Sequence, residues 1–362
     1  MTLLDELRTL ISQRGPITVE QFMQMALGHP DFGYYMTRDP FGAAGDFTTS
    51  PEISQMFGEL LGLWAAEVWA GMGSPGRVRL VELGPGRGTL MSDALRAIRI
   101  VPAFREALDV WLVETSPTLA MMQHELLLDC GVAVSWAQSL KDIPDGPTIA
   151  IGNEFLDALP VRQFVRVGGQ WRERVVRLDE GGSLAFDVAR NPERLIDAKA
   201  PDGEILEVSP AGHRFMFELG SRLVKQSGAA LFIDYGHAAT SLGDTLQALR
   251  AHRYVDPLES PGESDLTAHV DFAAMARSAS ATGAAVYGPI DQGEFLRTIG
   301  IDQRCRALVE RTSPERAQEI QLGRSRLVGK AKGEMGALFK VMAIANRRLP
   351  PPPGLQSPSS AR

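Results

Sequence analysis

Cysteine is almost missing: Cys130 and Cys305 are the only two in 362 residues. They stand too far apart for a disulfide framework or a cysteine-spaced metal site, and a reducing compartment is expected. Also missing is any apolar run near the roughly 18 residues that a membrane span requires, so membrane insertion is not expected. No segment repeats at a fixed period. Positive charge is not in excess either, since 37 Lys and Arg face 44 Asp and Glu and leave a net charge of -7. That balance argues against a general phosphate-neutralising surface, and no nucleic-acid partner is expected. The N-terminus, MTLLDELRTLISQRG, carries acidic residues early and lacks both the apolar core of a secretory signal and the basic, acid-poor character of a transit peptide. The chain is therefore expected to be cytoplasmic and of bacterial type.

What is present is ordinary for a packed protein, with 44% hydrophobic and 22% charged residues, enough for a sizeable core in one large or two intimate domains. The most informative stretch is VRLVELGPGRGTL, residues 78–90. An apolar run ends at Glu82 and Leu83, passes into Gly84-Pro85-Gly86-Arg87-Gly88, and continues as TLMSDALRAI, which predicts strand, glycine loop and helix. Glycines at 84, 86 and 88 allow a sharp turn and close approach of a ligand to the backbone, beside the unpaired N–H groups of a helix start. The spacing G-x-G-x-G departs from the G-x-G-x-x-G of dinucleotide sites, and a carboxylate at Glu82 would repel a pyrophosphate but suits an ammonium group. S-adenosyl-L-methionine, with an amino acid tail and a sulfonium, fits those terms. A glycine-rich turn that binds nothing is the competing reading.

Other segments can be placed around this loop. Residues 2–14 and TVEQFMQMALGH are amphipathic helices, the second with Thr18 as N-cap and Gln21 as its capping-box partner. The long Gly-, Pro- and aromatic-rich stretch from 30 to 51 reads as a lid or wall, with Tyr34, Tyr35, Asp46, Thr49, Ser50 and Glu52 as candidates to meet a substrate. Ser50 is expected to N-cap, and Pro51 to open, the helix that follows. DVWLVE supplies a second strand whose tip carboxylate, Glu114, could reach ribose hydroxyls. A third strand exits at Trp136 and Gln138, candidates to flank an adenine, although core packing suits Trp136 as well. The fourth strand, PTIAIGNEF, is apolar throughout, as a strand buried on both faces should be, and ends at Asn153 and Glu154. If NEFLDALP is helical, Glu154 and Asp157 share one side. Ligands of open α/β sheets bind beyond the carboxyl ends of the strands, so Asn153, Glu154 and Asp157 are the candidate catalytic group. A helix-start pair of carboxylates is the alternative.

From 161 to 208 the pattern alternates between Gly-Gly turns, as in antiparallel hairpins. The expected layout is an N-terminal helical and lid region over 1–76, a Rossmann-like doubly wound α/β domain over 77–160 and 209–346, an antiparallel insertion over 161–208 between strands four and five, and a Pro- and Ser-rich disordered tail over 347–362.

Several separated motifs then agree: GPITVEQFM at 15–23, GYY at 33–35, GDFTTSPEISQMFGE at 45–59, VELGPGRGTL at 81–90, NEFLDALPV at 153–161, FIDYGH at 232–237, and the segment from Pro261 through LTAHVDF. With these the chain resembles the MidA-type family of class I S-adenosyl-L-methionine-dependent methyltransferases, whose mitochondrial member, complex I assembly factor seven, is a protein arginine methyltransferase. The resemblance spans nearly all of the chain except the tail. It implies that Gly84, Gly86 and Gly88 hold the methionine moiety, that Glu114 holds the ribose, and that the loop from Gly45 to Glu52 closes over the site. It further implies an enzyme whose acceptor is arginine in a protein, a subunit of respiratory complex I. A carboxylate that grips a guanidinium bidentately would orient one nitrogen, for which Glu154 and Asp157 come first and Asp46 and Glu52 second. Methylation of a small molecule or of another residue type, and an assembly factor that binds the cofactor without catalysis, are the alternative functions.

Overall fold

The computed structural model describes residues 2–37 and 49–355. The chain packs as two compact units: one takes residues up to 47 together with 157–214 and 239–271, the other takes 48–156, 215–238 and everything from 272 onward.

The second unit is built on a mixed sheet. Its strands are β1 (Val78–Leu83), β2 (Leu108–Val113), β3 (Val134–Ala137), β4 (Thr148–Asn153), β5 (Gly228–His237), β6 (Ala285–Asp291) and β7 (Phe339–Ala345). They lie in the order β6-β7-β5-β4-β1-β2-β3. From β5 to β3 every neighbouring pair is parallel, whereas β7 runs antiparallel to β5 and to β6. All six residues of β1 and all six of β4 are buried, as strands covered on both faces are, and their middle positions are mostly apolar. The chain order reverses between β1 and β4, the place in such sheets where ligands bind at the strand ends. This is the class I methyltransferase architecture expected from the sequence.

Two helices of this unit pack with unusual closeness. Helix α1 (Gln55–Gly71) meets α2 (Thr89–Ala97) through Gly58 and Gly62: a Cβ added to Gly58 would lie 2.7 Å from Asp93 Cβ, and one added to Gly62 would lie 2.7 Å from Ala94 Cα. The helix expected to start at Pro51 is in fact two. Ser50–Ile53 is a short helix with Thr49 at its N-cap position, and Ser54, in extended conformation, ends it and caps α1 through its hydroxyl. Ser50 is therefore not the N-cap. The expectation of a disordered tail from 347 also fails as far as 355: the Trp64 indole N–H donates to the Pro353 carbonyl at 3.1 Å, Leu355 is buried, and Pro350 rests against Gly71. Composition marked this segment as unable to build a core, but it lines one that α1 supplies. Residues 356–362 lie outside the described residues.

In the first unit, the helices Leu3–Arg14 and Val19–Gly28 each begin with a complete capping box, Thr2 with Asp5 and Thr18 with Gln21. The expected hairpins form an antiparallel sheet in which Gln170–Leu178 pairs with Arg162–Val167 and Leu184–Pro192, and Ile17 and Thr18 add to its edge at Val176 and Val175. A second small sheet joins Arg253–Val255, Gln247–Arg250 and Asp265–Thr267. Leu7, Phe22 and Met23 of the helices share one core with Val161, Val176, Leu246 and Leu266. The N-terminal helices, the insertion and residues 239–271 thus form one body. Composition shifts, which suggested other boundaries, register changes of periodicity and not which segments share a core.

Among the described residues, no helix is long and apolar enough to cross a membrane.

Candidate active site at the strand exits of the parallel sheet

In the glycine loop, Gly84, Gly86 and Gly88 have φ values of 60°, 54° and 86°, a left-handed conformation that only glycine adopts at no cost. Phe155 closes on the first, since a Cβ at Gly84 would lie 3.1 Å from its ring, and Gln123 closes on the third at 3.3 Å. The turn is fixed by Gly84 N–H donating to the Val113 carbonyl and Gly88 N–H donating to that of Pro85. Behind the loop, Glu82 is buried, and its Oε2 has no hydrogen-bond partner among the described residues. Burial pushes its carboxyl well above the usual carboxylate range, the Met91 amide pulls it back, and the charge of Glu114 pushes it further up.

Glu114 follows β2 directly, its amide donating to the Ala137 carbonyl. One carboxylate oxygen, Oε1, accepts from the Thr115 and Ser116 amides at 2.8 and 2.7 Å, and Oε2 accepts from Gln123 Nε2 at 3.0 Å. Burial raises its pKa, while Ser116, Gln123 and Thr115 offset this by bonding to the charged form. Gln123, which the sequence reading missed, lies on α3 (Pro117–Leu127) and is fully buried. The signal was there: Leu119, Gln123 and Leu127 form the buried stripe of that helix, and an amide inside an apolar stripe needs an explanation. Trp136, expected near an adenine, donates its indole N–H to Gln123 Oε1 at 2.9 Å and leans on His124. Gln138 is exposed at the exit of β3.

At the end of β4, Glu154 is the one site residue with strained backbone. Its φ of 51° is uncommon for a side chain other than Gly, Asn or Asp and costs on the order of 1–3 kcal/mol. Its amide donates to the Ile233 carbonyl, and its Oε1 accepts from Ser50 N at 3.2 Å and from Asn153 Nδ2 at 3.0 Å. Asn153 is itself buried, and its Oδ1 has no partner among the described residues. The turn after Glu154 is pinned by the buried Asp234 of β5, whose Oδ2 accepts from the Phe155 and Leu156 amides at 3.1 and 2.9 Å. A helix over NEFLDALP does not form: residues 154–160 are bends and turns, with Glu154 in the left-handed conformation and the next two amides held by Asp234. Glu154 and Asp157 consequently do not share a helix face, and they belong to different units. The alternative, two carboxylates at a helix start, fails for the same reason.

The segment after the lid sequence is fastened to the glycine loop. Ser50 is completely buried, and Glu52 accepts from Thr89 Oγ1 at 2.5 Å and lies 4.0 Å from Arg87. Thr49, Ser50 and Glu52 are thus brought to the cofactor-loop unit. Tyr34, Tyr35 and Asp157 lie in the other unit, where the Tyr35 hydroxyl donates to Asp265 at 2.7 Å and the Tyr34 ring meets Tyr35 edge-on. Burial first, then the charges of Asp265 and Asp157, raises the Tyr35 pKa far above that of a free phenol, so it stays a donor. Asp46 lies outside the described residues.

The donor set can be tested against a cofactor with a cationic amino acid tail and a ribose. A buried carboxyl oxygen without a partner among the described residues, three left-handed glycines on a backbone that a ligand can approach, and a second carboxylate on the neighbouring strand tip fit such a molecule. Among the described residues, no group of three His, Cys, Asp or Glu side chains could hold a metal ion.

Comparison with known proteins agrees. Residues 60–290 match the model of a family of S-adenosyl-L-methionine-dependent methyltransferases. The protein arginine methyltransferase NDUFAF7 of Danio rerio mitochondria is 36% identical, covering 95% of this chain and 87% of its own length, and the Mus musculus protein of that name is 37% identical, covering 94% and 84%. A solved structure from Burkholderia thailandensis with S-adenosyl-homocysteine bound superposes with a TM-score of 0.84 at 28% identity, over 97% of this chain and 93% of that one. The expectation of a cytoplasmic location does not stand, because these relatives, and those from Drosophila melanogaster and Caenorhabditis elegans, are named as mitochondrial. The acidic N-terminal stretch that suggested it is a folded helix with its apolar side in a core, so its composition reports packing.

Proposed function

The chain belongs to this family of S-adenosyl-L-methionine-dependent methyltransferases, and from that premise we propose that its acceptor is an arginine side chain of a protein. The arginine methyltransferase relatives support this, and one observation in the chain carries it. At the exit of β4, the carboxylate of Glu154 and the amide oxygen of Asn153, which has no partner among the described residues, are two acceptors joined to each other through Asn153 Nδ2. A planar guanidinium presents several N–H donors in a fixed fork, and two adjacent acceptors, one of them charged, orient it and concentrate electron density on the nitrogen left over.

On this reading Glu82 and the backbone of Gly84 to Gly88, with Pro85 at the turn, hold the amino acid end of the cofactor, and Glu114 holds its ribose. When bound, S-adenosyl-L-methionine supplies the electrophilic methyl group. The protein contributes position: Asp234 fixes the turn, the turn fixes Glu154, and Glu154 holds the acceptor nitrogen in line, which is where most of the rate gain in a displacement of this kind arises. The family resemblance also makes a subunit of respiratory complex I the first protein to test.

The reading is tested by incubating the protein with radiolabelled S-adenosyl-L-methionine and a lysate from cells lacking it, then hydrolysing the labelled protein. Label in methylated arginine is the expected result. Label in another amino acid, or only in small molecules, would replace arginine with that acceptor.

A further inference from the structure

The Gln123 side chain joins three chain segments that the cofactor needs at the same time. Its Nε2 donates to the Gly86 carbonyl at 2.7 Å and to Glu114 Oε2 at 3.0 Å, while its Oε1 accepts from the Trp136 indole at 2.9 Å. Both amide hydrogens and the oxygen are thereby committed. The orientation has no alternative: an indole only donates, and a carbonyl and a carboxylate only accept, so the oxygen must face Trp136 and the nitrogen the other two. Gly88 supplies the room, since a Cβ there would press on Gln123 Cγ at 3.3 Å.

We propose that Gln123 is a positioning residue for cofactor binding, which sets the direction of Glu114 toward the ribose and ties it to the glycine loop. This rests on the reading of Glu114 as the ribose ligand. Glu114 Oε1 is taken by the Thr115 and Ser116 amides, so Oε2 is the oxygen free to bond a hydroxyl, and Gln123 is its partner. The same amide holds the carbonyl of Gly86, the middle glycine of the loop. Loss of the amide would leave a partly buried carbonyl, a carboxylate oxygen and an indole N–H without this partner on three segments, and each would turn to another. Gln123 touches no reacting atom and acts only through Glu114 and Gly86.

The test uses S-adenosyl-homocysteine and its analogue lacking both ribose hydroxyls, titrated by calorimetry into the wild-type chain and Gln123→Met, which keeps the volume and removes the hydrogen bonds. The wild type is expected to bind the analogue about 10- to 100-fold more weakly, the range for hydrogen bonds to a charged group. In Gln123→Met, S-adenosyl-homocysteine should weaken by a similar factor while the penalty for losing the hydroxyls shrinks to less than about threefold. A purely structural role predicts weaker binding with the full hydroxyl penalty retained, and that result, like unchanged affinity, would overturn the proposal. Equal binding of both ligands by the wild type would remove the Glu114 reading itself, and the proposal with it. Should Gln123→Met fail to fold, Trp136→Phe releases only the bond that fixes the amide oxygen. It is expected to give a smaller loss of affinity together with a reduced hydroxyl penalty, and an unaltered penalty would count against the proposal.

Discussion

Where the chain leaves β1 and β2, glycines supply the unusual backbone and the polar side chains of Glu114, Gln123 and Trp136 bond to one another. Where it leaves β4, a glutamate takes the left-handed conformation itself and the amide beside it keeps an acceptor without a partner among the described residues. Both exits belong to the same sheet. The first arrangement is pre-formed, so a ligand need not order it and little affinity is lost to reorganisation. The second stores strain and an unmet acceptor, a cost that persists in folded proteins when the surroundings over-determine it. Here Asp234 of β5, Ser50 and the Ile233 carbonyl do so. On the proposed reading, the contrast separates holding the cofactor from gripping the acceptor.

The largest effect should come from breaking the pre-formed side. In Gly86→Val, a β-branched residue at φ 54° cannot keep the loop, and the carbonyl that Gln123 holds must move. Calorimetry should show no binding of S-adenosyl-L-methionine, and NAD should bind neither variant nor wild type. A folded Gly86→Val chain with unchanged affinity would take the loop out of the site.

Next in size is a cost hidden on the pre-formed side, beneath the loop's own helix. Burial, with Glu59 and Glu52 adding to it against the pull of Arg96, pushes the Asp93 carboxyl up from 3.8 to about 6. Below the unfolded value both states are protonated and the group contributes nothing. As pH rises through the window from 3.8 to about 6, the unfolded chain ionises first, so stability falls, by up to about 3 kcal/mol. Denaturant titrations at several pH values should show this fall in the wild type relative to Asp93→Asn, and a difference independent of pH would refute the assignment.

On the strained side, Asn153→Ala removes the open acceptor without touching the loop. Methyl transfer should slow by about tenfold, the lower end for a bond to a charged donor, with S-adenosyl-homocysteine affinity unchanged. Labelling rates at saturating cofactor check this, and a loss of affinity instead would move Asn153 to the cofactor side. The smallest effect is expected at Gln138, which is exposed: Gln138→Ala should alter affinity by no more than about twofold, as for most surface substitutions. A larger loss would return it to the adenine site.

How far these two exits could be read from the sequence follows from where their partners come from. The glycine loop, the strand before it and the carboxylate at Glu114 are written within short stretches, and their local chemistry decides their conformation. Whether 154–160 is helical stays open in the sequence, because nothing nearby shows that Glu154 is left-handed or that Asp234, from a strand more than seventy residues later, holds the next two amides. The bond between Trp64 and Pro353 has the same origin, a tertiary partner outweighing a local propensity, whereas the helix break at Ser54 is local, its extended backbone and hydroxyl capping the helix that follows. Gln123 lay between these cases. Its place in a buried stripe was visible, but its three partners come from three different segments.

The separation of the two exits is tested most directly by measuring two quantities on two variants, Glu114→Gln and Glu154→Gln: affinity for S-adenosyl-homocysteine, and the maximal rate of label transfer to the acceptor-containing lysate at saturating cofactor. Glu114→Gln should lose about 10- to 100-fold in affinity and keep its maximal rate, while Glu154→Gln should keep its affinity and lose about 10- to 100-fold in rate. Collapse of cofactor affinity in Glu154→Gln with a normal rate of transfer would contradict the account.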